Sequence, residues 1–193
     1  MNLENVNVVL ASNSPRRKEL IKLICENFTV RPADCDEALP DGIGGREASE
    51  YLSEIKNEAS RLLCKDSDLV ISADTVVATE TEILGKPEDK DNARRMITAL
   101  SGKKHFVYTG VTISKDGKSH TFSEATEVEF FPLTSEEIEE YINSFEPYDK
   151  AGGYAIQGTF AKHIKGINGD YYNVVGLPIA RLKREIDLFL NVM

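Results

Sequence analysis

Two arginines, Arg16 and Arg17, stand where a helix would favour acids. They follow Ser12-Asn13-Ser14-Pro15, in which Ser14 suits an N-cap and Pro15 the first helical position. The pair therefore falls in a first helical turn, beside the positive end of the dipole, at a cost of roughly 0.3–1 kcal/mol per charge. A bound anion reverses that sign. Backbone N–H groups, the hydroxyls of Ser12 and Ser14 and two guanidinium forks then converge on it. The alternative is an ordinary strand-to-helix turn with solvated arginines.

Other residues carry complementary chemistry. Asp74 follows the run Leu69 to Ala73 and reads as closing a buried strand and opening a polar turn. Strand ends in α/β sheets are where ligands collect. A carboxylate there binds a metal or takes a proton from water; the alternative is an Asp that caps its own turn. Asp34, Asp36 and Glu37 form a second acidic group, with hard oxygens suited to Mg²⁺ or Mn²⁺, although a solvated acidic loop has the same composition. Lys56 lies on the flank of a helical stripe, and Lys86 sits in the tight Gly85-Lys86-Pro87 turn, from which an ammonium can aim into a cleft. Each also fits a plain surface lysine. The segment Asp149 to Gly158 places three glycines around Gln157. Glycines permit close backbone approach to a flat ligand, and an amide both donates and accepts, as a nucleobase edge requires. A glycine-rich turn between helix and strand is the alternative. The histidines show no metal-ligand spacing, and His105 reads as a structural hydrogen-bonding residue within a strand.

The elements that must position these groups follow from periodicity. Val8-Val9-Leu10 reads as a buried strand, followed by a helix with Leu20, Ile21 and Ile24 on one face. Phe28-Thr29-Val30 is a short strand and Asp34 to Gly45 a loop. Arg46 to Leu63 is helical, with Leu52, Ile55, Ala59 and Leu62 as its stripe. Val76 to Leu84 suits a short hairpin, and Asp89 to Leu100 a helix. His105 to Ser114 and Ser119 to Phe131 form a hairpin around Asp116-Gly117. Thr134 to Glu137 is a capping box. Tyr171 to Val175 reads as a last strand, and Gly176-Leu177-Pro178 opens the closing helix. Crossover helices with a hairpin predict a mixed α/β sheet flanked by helices, in two lobes with a central cleft. The 193 residues are expected to form a single domain.

Bulk properties exclude several classes. The net charge of −9 and the lack of a long basic run argue against a nucleic-acid binder. An acidic chain that holds a polyphosphate needs a local basic pocket and a divalent ion. No apolar stretch approaches the roughly 20 residues that span a membrane. The opening five residues show no basic region followed by an apolar one, so no secretory signal is expected. Three widely spaced cysteines without a Cys-x-x-Cys pair fit a reducing cytoplasm. The Gly-x-x-x-x-Gly-Lys and Gly-x-Gly-x-x-Gly phosphate motifs are absent.

In register over almost the whole chain, Ala11-Ser12-Asn13-Ser14-Pro15-Arg16-Arg17, Ser72-Ala73-Asp74-Thr75-Val76-Val77, Gly85-Lys86-Pro87, Ser101-Gly102-Lys103-Lys104-His105, Asp149 to Gly158 and Asn173 to Pro178 resemble the Maf family of nucleoside triphosphate pyrophosphatases. The resemblance implies a fold similar to that of inosine triphosphate pyrophosphatases. It implies hydrolysis of a triphosphate to the monophosphate and pyrophosphate with a divalent metal, Mg²⁺ or Mn²⁺. By position, Asp74 looks like the proton acceptor, and Arg16, Thr75 and Gln157 look like the residues of substrate choice. Glu37 joins Asp74 as a metal ligand; Ser12, Ser14, Arg17, Lys56 and Lys86 join the substrate site. The run Lys150 to Gly158 looks like the subgroup acting on dTTP and UTP, with Gly153 and Ala155 at positions where small residues interchange. A 7-methyl-GTP pyrophosphatase departs from it at the glutamine. A non-catalytic nucleotide-binding regulator of septum formation is the rival from another class. Neither nucleic acid nor membrane is an expected partner, and a homodimer is compatible with the resemblance.

Overall fold

A computed structural model describes Leu3 and residues 6–192. The reading of the opening residues as free of a secretory signal lies, Leu3 apart, outside the described residues. Strand β1 (Val8–Leu10) pairs in parallel with β2 (Phe28–Val30) and β3 (Leu69–Ala78), joined by crossover helices α1 (Pro15–Ile21) and α2 (Gly45–Arg61). The residues of β1 are fully buried, as a central parallel strand covered on both faces must be. Strand β4 (Ile83–Leu84) folds back on β3 as the expected short hairpin. Helix α3 (Lys90–Leu100) leads to the long hairpin of β5 (Lys104–Lys115) and β6 (Lys118–Phe130), turned at Asp116 and Gly117, both at positive φ. Strand β7 (Ile164–Asn168) closes a sheet of order β2-β1-β3-β5-β6-β7 among the described residues. Helix α4 (Ser135–Ile142) opens with its capping box formed, and α5 (Tyr171–Val175) and α6 (Ile179–Asn191) end the chain.

The mixed sheet flanked by helices is as expected, and two large apolar cores pack on it beside a small third cluster of Val9, Ala11 and Val70. One gathers Leu10, Ile71, Val111, Leu182 and Ile186; the other gathers Val77, Ile97, Val107, Phe130 and Phe160. Strands β3 and β5 contribute to both, so the two halves share one rigid ladder.

Three expectations are corrected. Tyr171 to Val175 is helix α5, not a strand: Asp170 caps the Tyr172 N–H, and Gly176 at φ 124° terminates it. The last strand is β7, whose sequence Ile-Lys-Gly-Ile-Asn lacks a strong β signal and is held by pairing with β6. The buried face of α2 is not the apolar stripe either, since Leu62 is 87% exposed. Its buried residues are Ala48, Ser49, Leu52, Ser53, Asn57 and Ser60.

That polar face explains how α2 is fixed. Ser53 Oγ and Thr112 Oγ1 are 2.8 Å apart, Ser72 Oγ donates to the Ser53 carbonyl, and Asn57 Nδ2 donates to the carbonyls of Val70 and Thr112. Ser114 Oγ donates to Asn57 Oδ1 at 2.6 Å. Such bonds are each worth about 0.5–1.5 kcal/mol net, and they set rotation and register as apolar packing does not. Small residues let the backbones approach: a Cβ on Gly110 would lie 2.1 Å from the Ser49 carbonyl oxygen. Among the described residues no helix is long and apolar enough to cross a membrane, and Cys25, Cys35 and Cys64 are free thiols.

Candidate active site

A break in the ladder makes the site. Strand β1 pairs with β3 only at Leu69–Ile71, and β4 pairs with it only at Val77 and Ala78. Between them, Ser72 to Val76 pair, among the described residues, on the β5 side alone. Asp74 therefore does not close a strand, as the sequence suggests; it lies mid-strand, where the neighbouring strand has ended. Side chains from both faces of β3 reach one cavity of about 590 Å³ there, within the roughly 300–1,000 Å³ of ligand clefts. Ten of the candidates line it: Ser12, Ser14, Arg16, Arg17, Glu37, Lys56, Asp74, Thr75, Lys86 and Gln157.

On one wall Lys56 projects from α2 between two carboxylates. Its Nζ lies 2.5 Å from Asp74 Oδ1 and 2.9 Å from Glu37 Oε2. Lys56 and Asp74 are only 18% and 14% exposed, so solvent screens the pair weakly. Desolvation lowers the Lys56 pKa, but Asp74 and then Glu37 more than offset it, and the net shift is upward. Asp34 and Asp36 do not line the cavity, and Asp36 caps the Ala38 N–H instead.

Ser14 caps α1 as expected, accepting from the Arg17 N–H. Arg17 is largely committed to the protein: Nε donates to the Gly176 carbonyl at 2.9 Å, Nη2 to Thr75 Oγ1 at 3.0 Å, and Nη1 to Ser12 Oγ at 3.4 Å. Burial lowers its pKa while Asp74 opposes that shift. Arg16 is freer, with one long ion pair to Asp149 at 3.6 Å. Lys86 and Gln157 are exposed at the mouth, and among the described residues neither side chain has a hydrogen-bond or ionic partner.

Set beside known proteins, residues 7–189 match the family model described as Maf-like protein. The chain belongs to the Maf family. It is 49% identical to the dTTP/UTP pyrophosphatase of Agathobacter rectalis, over 93% of this chain and 95% of that protein. It is 47% identical to the dTTP/UTP pyrophosphatase of Bacillus cereus, over 94% and 95% of the two chains. A third relative of the same name, from Bacteroides thetaiotaomicron, is 41% identical over 96% and 97%. Among solved structures, the Ham1 protein of Staphylococcus aureus superposes with a TM-score of 0.54 at 15% identity, covering 94% of this chain and 98% of that one. That likeness bears on the fold alone, a mixed α/β sheet flanked by helices.

In this Maf-family chain the glycine-rich segment is more exacting than the sequence suggests. Gly152 and Gly153 hold φ of 70° and 73°, and a Cβ on either would press on Val77 or Pro87. Small residues therefore do not interchange at position 153. The Gly152 N–H donates to the Gly85 carbonyl, tying this loop to the Lys86 turn. Tyr154, also on the cavity wall, meets His105 Nε2 through its hydroxyl at 2.8 Å, which gives His105 the structural role expected of it. Burial holds His105 down to about 4, so its ring is neutral. Asp149, Lys150 and Tyr154 line the cavity in addition to the sequence-predicted residues. The signal was their place beside Gln157, but only folding shows Asp149 facing Arg16 and pairing with Lys150.

Proposed function

We propose that this chain is a nucleoside triphosphate pyrophosphatase that hydrolyses dTTP and UTP to the monophosphate and pyrophosphate. One observation carries the reading: Lys56, Asp74 and Glu37 converge with Arg16, Arg17 and Lys86 on a single cavity. This occurs in a chain whose Maf-family relatives are dTTP/UTP pyrophosphatases.

Asp74 is the proton acceptor. It orients a water and takes its proton as the water oxygen attacks the α-phosphorus in line, and the bridging oxygen departs with pyrophosphate. Arg16, Lys56 and Lys86 hold the phosphate chain. Arg17 uses three of its five N–H groups on Ser12, Thr75 and Gly176 and so mainly fixes the wall, with two left for phosphate. Ser12 receives the Ser14 N–H and Arg17, which makes it a brace of the same turn. Thr75, Arg16 and the Gln157 amide, which has no partner among the described residues, decide which base is accepted.

The residues fit a divalent ion. Asp74 and Glu37 already direct an oxygen each at one cation, the Lys56 ammonium. Mg²⁺ or Mn²⁺ characteristically takes one or two carboxylates and completes its shell with water and substrate phosphates. Such an ion would neutralise phosphate charge and acidify the attacking water. The Cys35 thiol is raised by burial and by Glu37, so covalent catalysis by thiolate is not part of the scheme.

Pyrophosphate release measured on dTTP, UTP, GTP and 7-methyl-GTP with Mg²⁺ and Mn²⁺ tests the reading. The expected result is turnover of dTTP and UTP above the others. Preference for 7-methyl-GTP, or tight nucleotide binding without turnover, would overturn it in favour of the purine hydrolase or the regulator.

A further inference from the structure

Lys56 occupies an unusual position for a phosphate-binding lysine. Its ammonium does not wait in the cavity for an anion; both carboxylates of the wall hold it, Asp74 at 2.5 Å and Glu37 at 2.9 Å. The helix that carries it cannot swing away, because Ser53 and Asn57 on either side of it are bonded to β3 and β5. Two carboxylates and one ammonium leave about one net negative charge, a weak attraction for a dication. Among the described residues no group of three or more His, Cys, Asp or Glu side chains is placed to hold an ion without help.

We propose that Lys56 is the resident cation of the substrate-free protein, a placeholder that keeps Asp74 and Glu37 trained on one point and denies them to a divalent ion until a triphosphate draws the ammonium away. The proposal rests on the pyrophosphatase reading for the identity of that triphosphate. An ammonium offers three N–H donors, and phosphate oxygens are strong acceptors for them. Once Lys56 turns to the phosphate chain, both carboxylates are released at the same moment that new oxygen ligands arrive. Ion and nucleotide then bind cooperatively, and the coupling is reciprocal: each raises the affinity for the other by the same factor. Without the placeholder, the weakly screened Asp74 and the more exposed Glu37 are left without their shared cation and attract a dication directly.

The test is a Mn²⁺ titration of the nucleotide-free chain, read from the paramagnetic resonance signal of unbound Mn²⁺. Wild type is expected to bind weakly, with a dissociation constant on the order of millimolar, as at the weakest oxygen-ligand sites. Lys56→Gln and Lys56→Met are expected to bind at least about tenfold more tightly. Lys56→Arg is expected to stay within a few-fold of wild type, and the further change Glu37→Gln to remove the gain. Circular dichroism and melting identify folded variants, and Lys56→Met preserves the packed stem if Lys56→Gln does not fold. Micromolar Mn²⁺ binding by nucleotide-free wild type overturns the proposal whatever the variants do. So does a folded Lys56→Met or Lys56→Gln chain with unchanged affinity. Because the readout is not turnover, the two readings fail separately. A chain inactive on dTTP and UTP that still gains Mn²⁺ affinity on losing Lys56 refutes the activity and supports the placeholder, while an active chain without that gain does the reverse.

Discussion

On the α2 wall of the cavity the charged groups are already paired: Lys56 with Asp74 and Glu37, on a helix whose polar face is bonded into the sheet. Elsewhere on the cavity lining, Lys86 and Gln157 stand exposed, without partners among the described residues, and Arg16 has one long ion pair there, to Asp149. In the proposed scheme this α2 wall performs the chemistry, and because it is pre-organised its electrostatics cost little reorganisation when the reaction occurs. The rim, to which the scheme assigns substrate recognition, keeps its side chains loose, and ordering them on binding costs about 0.5–1.5 kcal/mol per side chain. Damage to the first region should therefore appear in kcat, and damage to the second in KM and in preference.

The largest expected effect breaks the pre-organised wall. Asp74→Asn should lower kcat at least ~100-fold with the fold retained, as measured by pyrophosphate release, because proton transfer is worth 10²–10⁴. Near-normal turnover would remove Asp74 from its role. The next concerns the support behind the rim. His105 is held at about 4 against an ordinary 6.5, so the unfolded chain binds its proton first. Stability from this group is complete above pH 6.5 and falls as pH drops towards 4, by about 3 kcal/mol in all. Urea titrations across that window should show the loss in wild type and a much smaller slope in His105→Gln. Arg16→Ala should cost roughly 1.5–3 kcal/mol in kcat/KM, the scale of a charge-assisted bond, and mostly through KM. If kcat alone falls, Arg16 belongs with the chemical wall and the contrast is wrong. Smallest is Gln157→Ala. It should narrow the preference for UTP and dTTP over GTP by a few-fold, the order of one neutral hydrogen bond, and leave kcat on the best substrate within about twofold. Unaltered ratios would mean that the base is read elsewhere.

Much of this was legible in the primary structure, and the gaps have physical causes. The N-cap at Ser14, the Asp116-Gly117 turn and the capping box at Thr134 are local signals, and each formed as read. The site residues were legible as a set through the resemblance, and the cavity brings that set together. What failed depended on long-range pairing. Nothing local reveals that β1 stops at Leu10 while β3 runs on to Ala78, so Asp74 looked like a strand end. Apolar periodicity misled on α2, because this helix is seated by serines and an asparagine that hydrogen-bond across the sheet. Tyr171 to Val175 has β-rich composition, and its flanking Asp170 and Gly176 overrode that preference. The charge pair at Asp149 and Lys150 was visible, but its opposition to Arg16 was not.

The stretch Ser72 to Val76 leaves one side of β3 without a strand partner between β1 and β4. The working volume of this protein is thus a missing length of backbone, held open by the lengths of two short segments rather than by any bulky side chain. Extending β1 by two ladder positions would fill the hollow with main chain and silence the protein while leaving every charged group of the site in its sequence place. In the proposed scheme the point at which β1 gives way to the connection of residues 11–14 is accordingly as much a determinant of activity as the carboxylate it exposes.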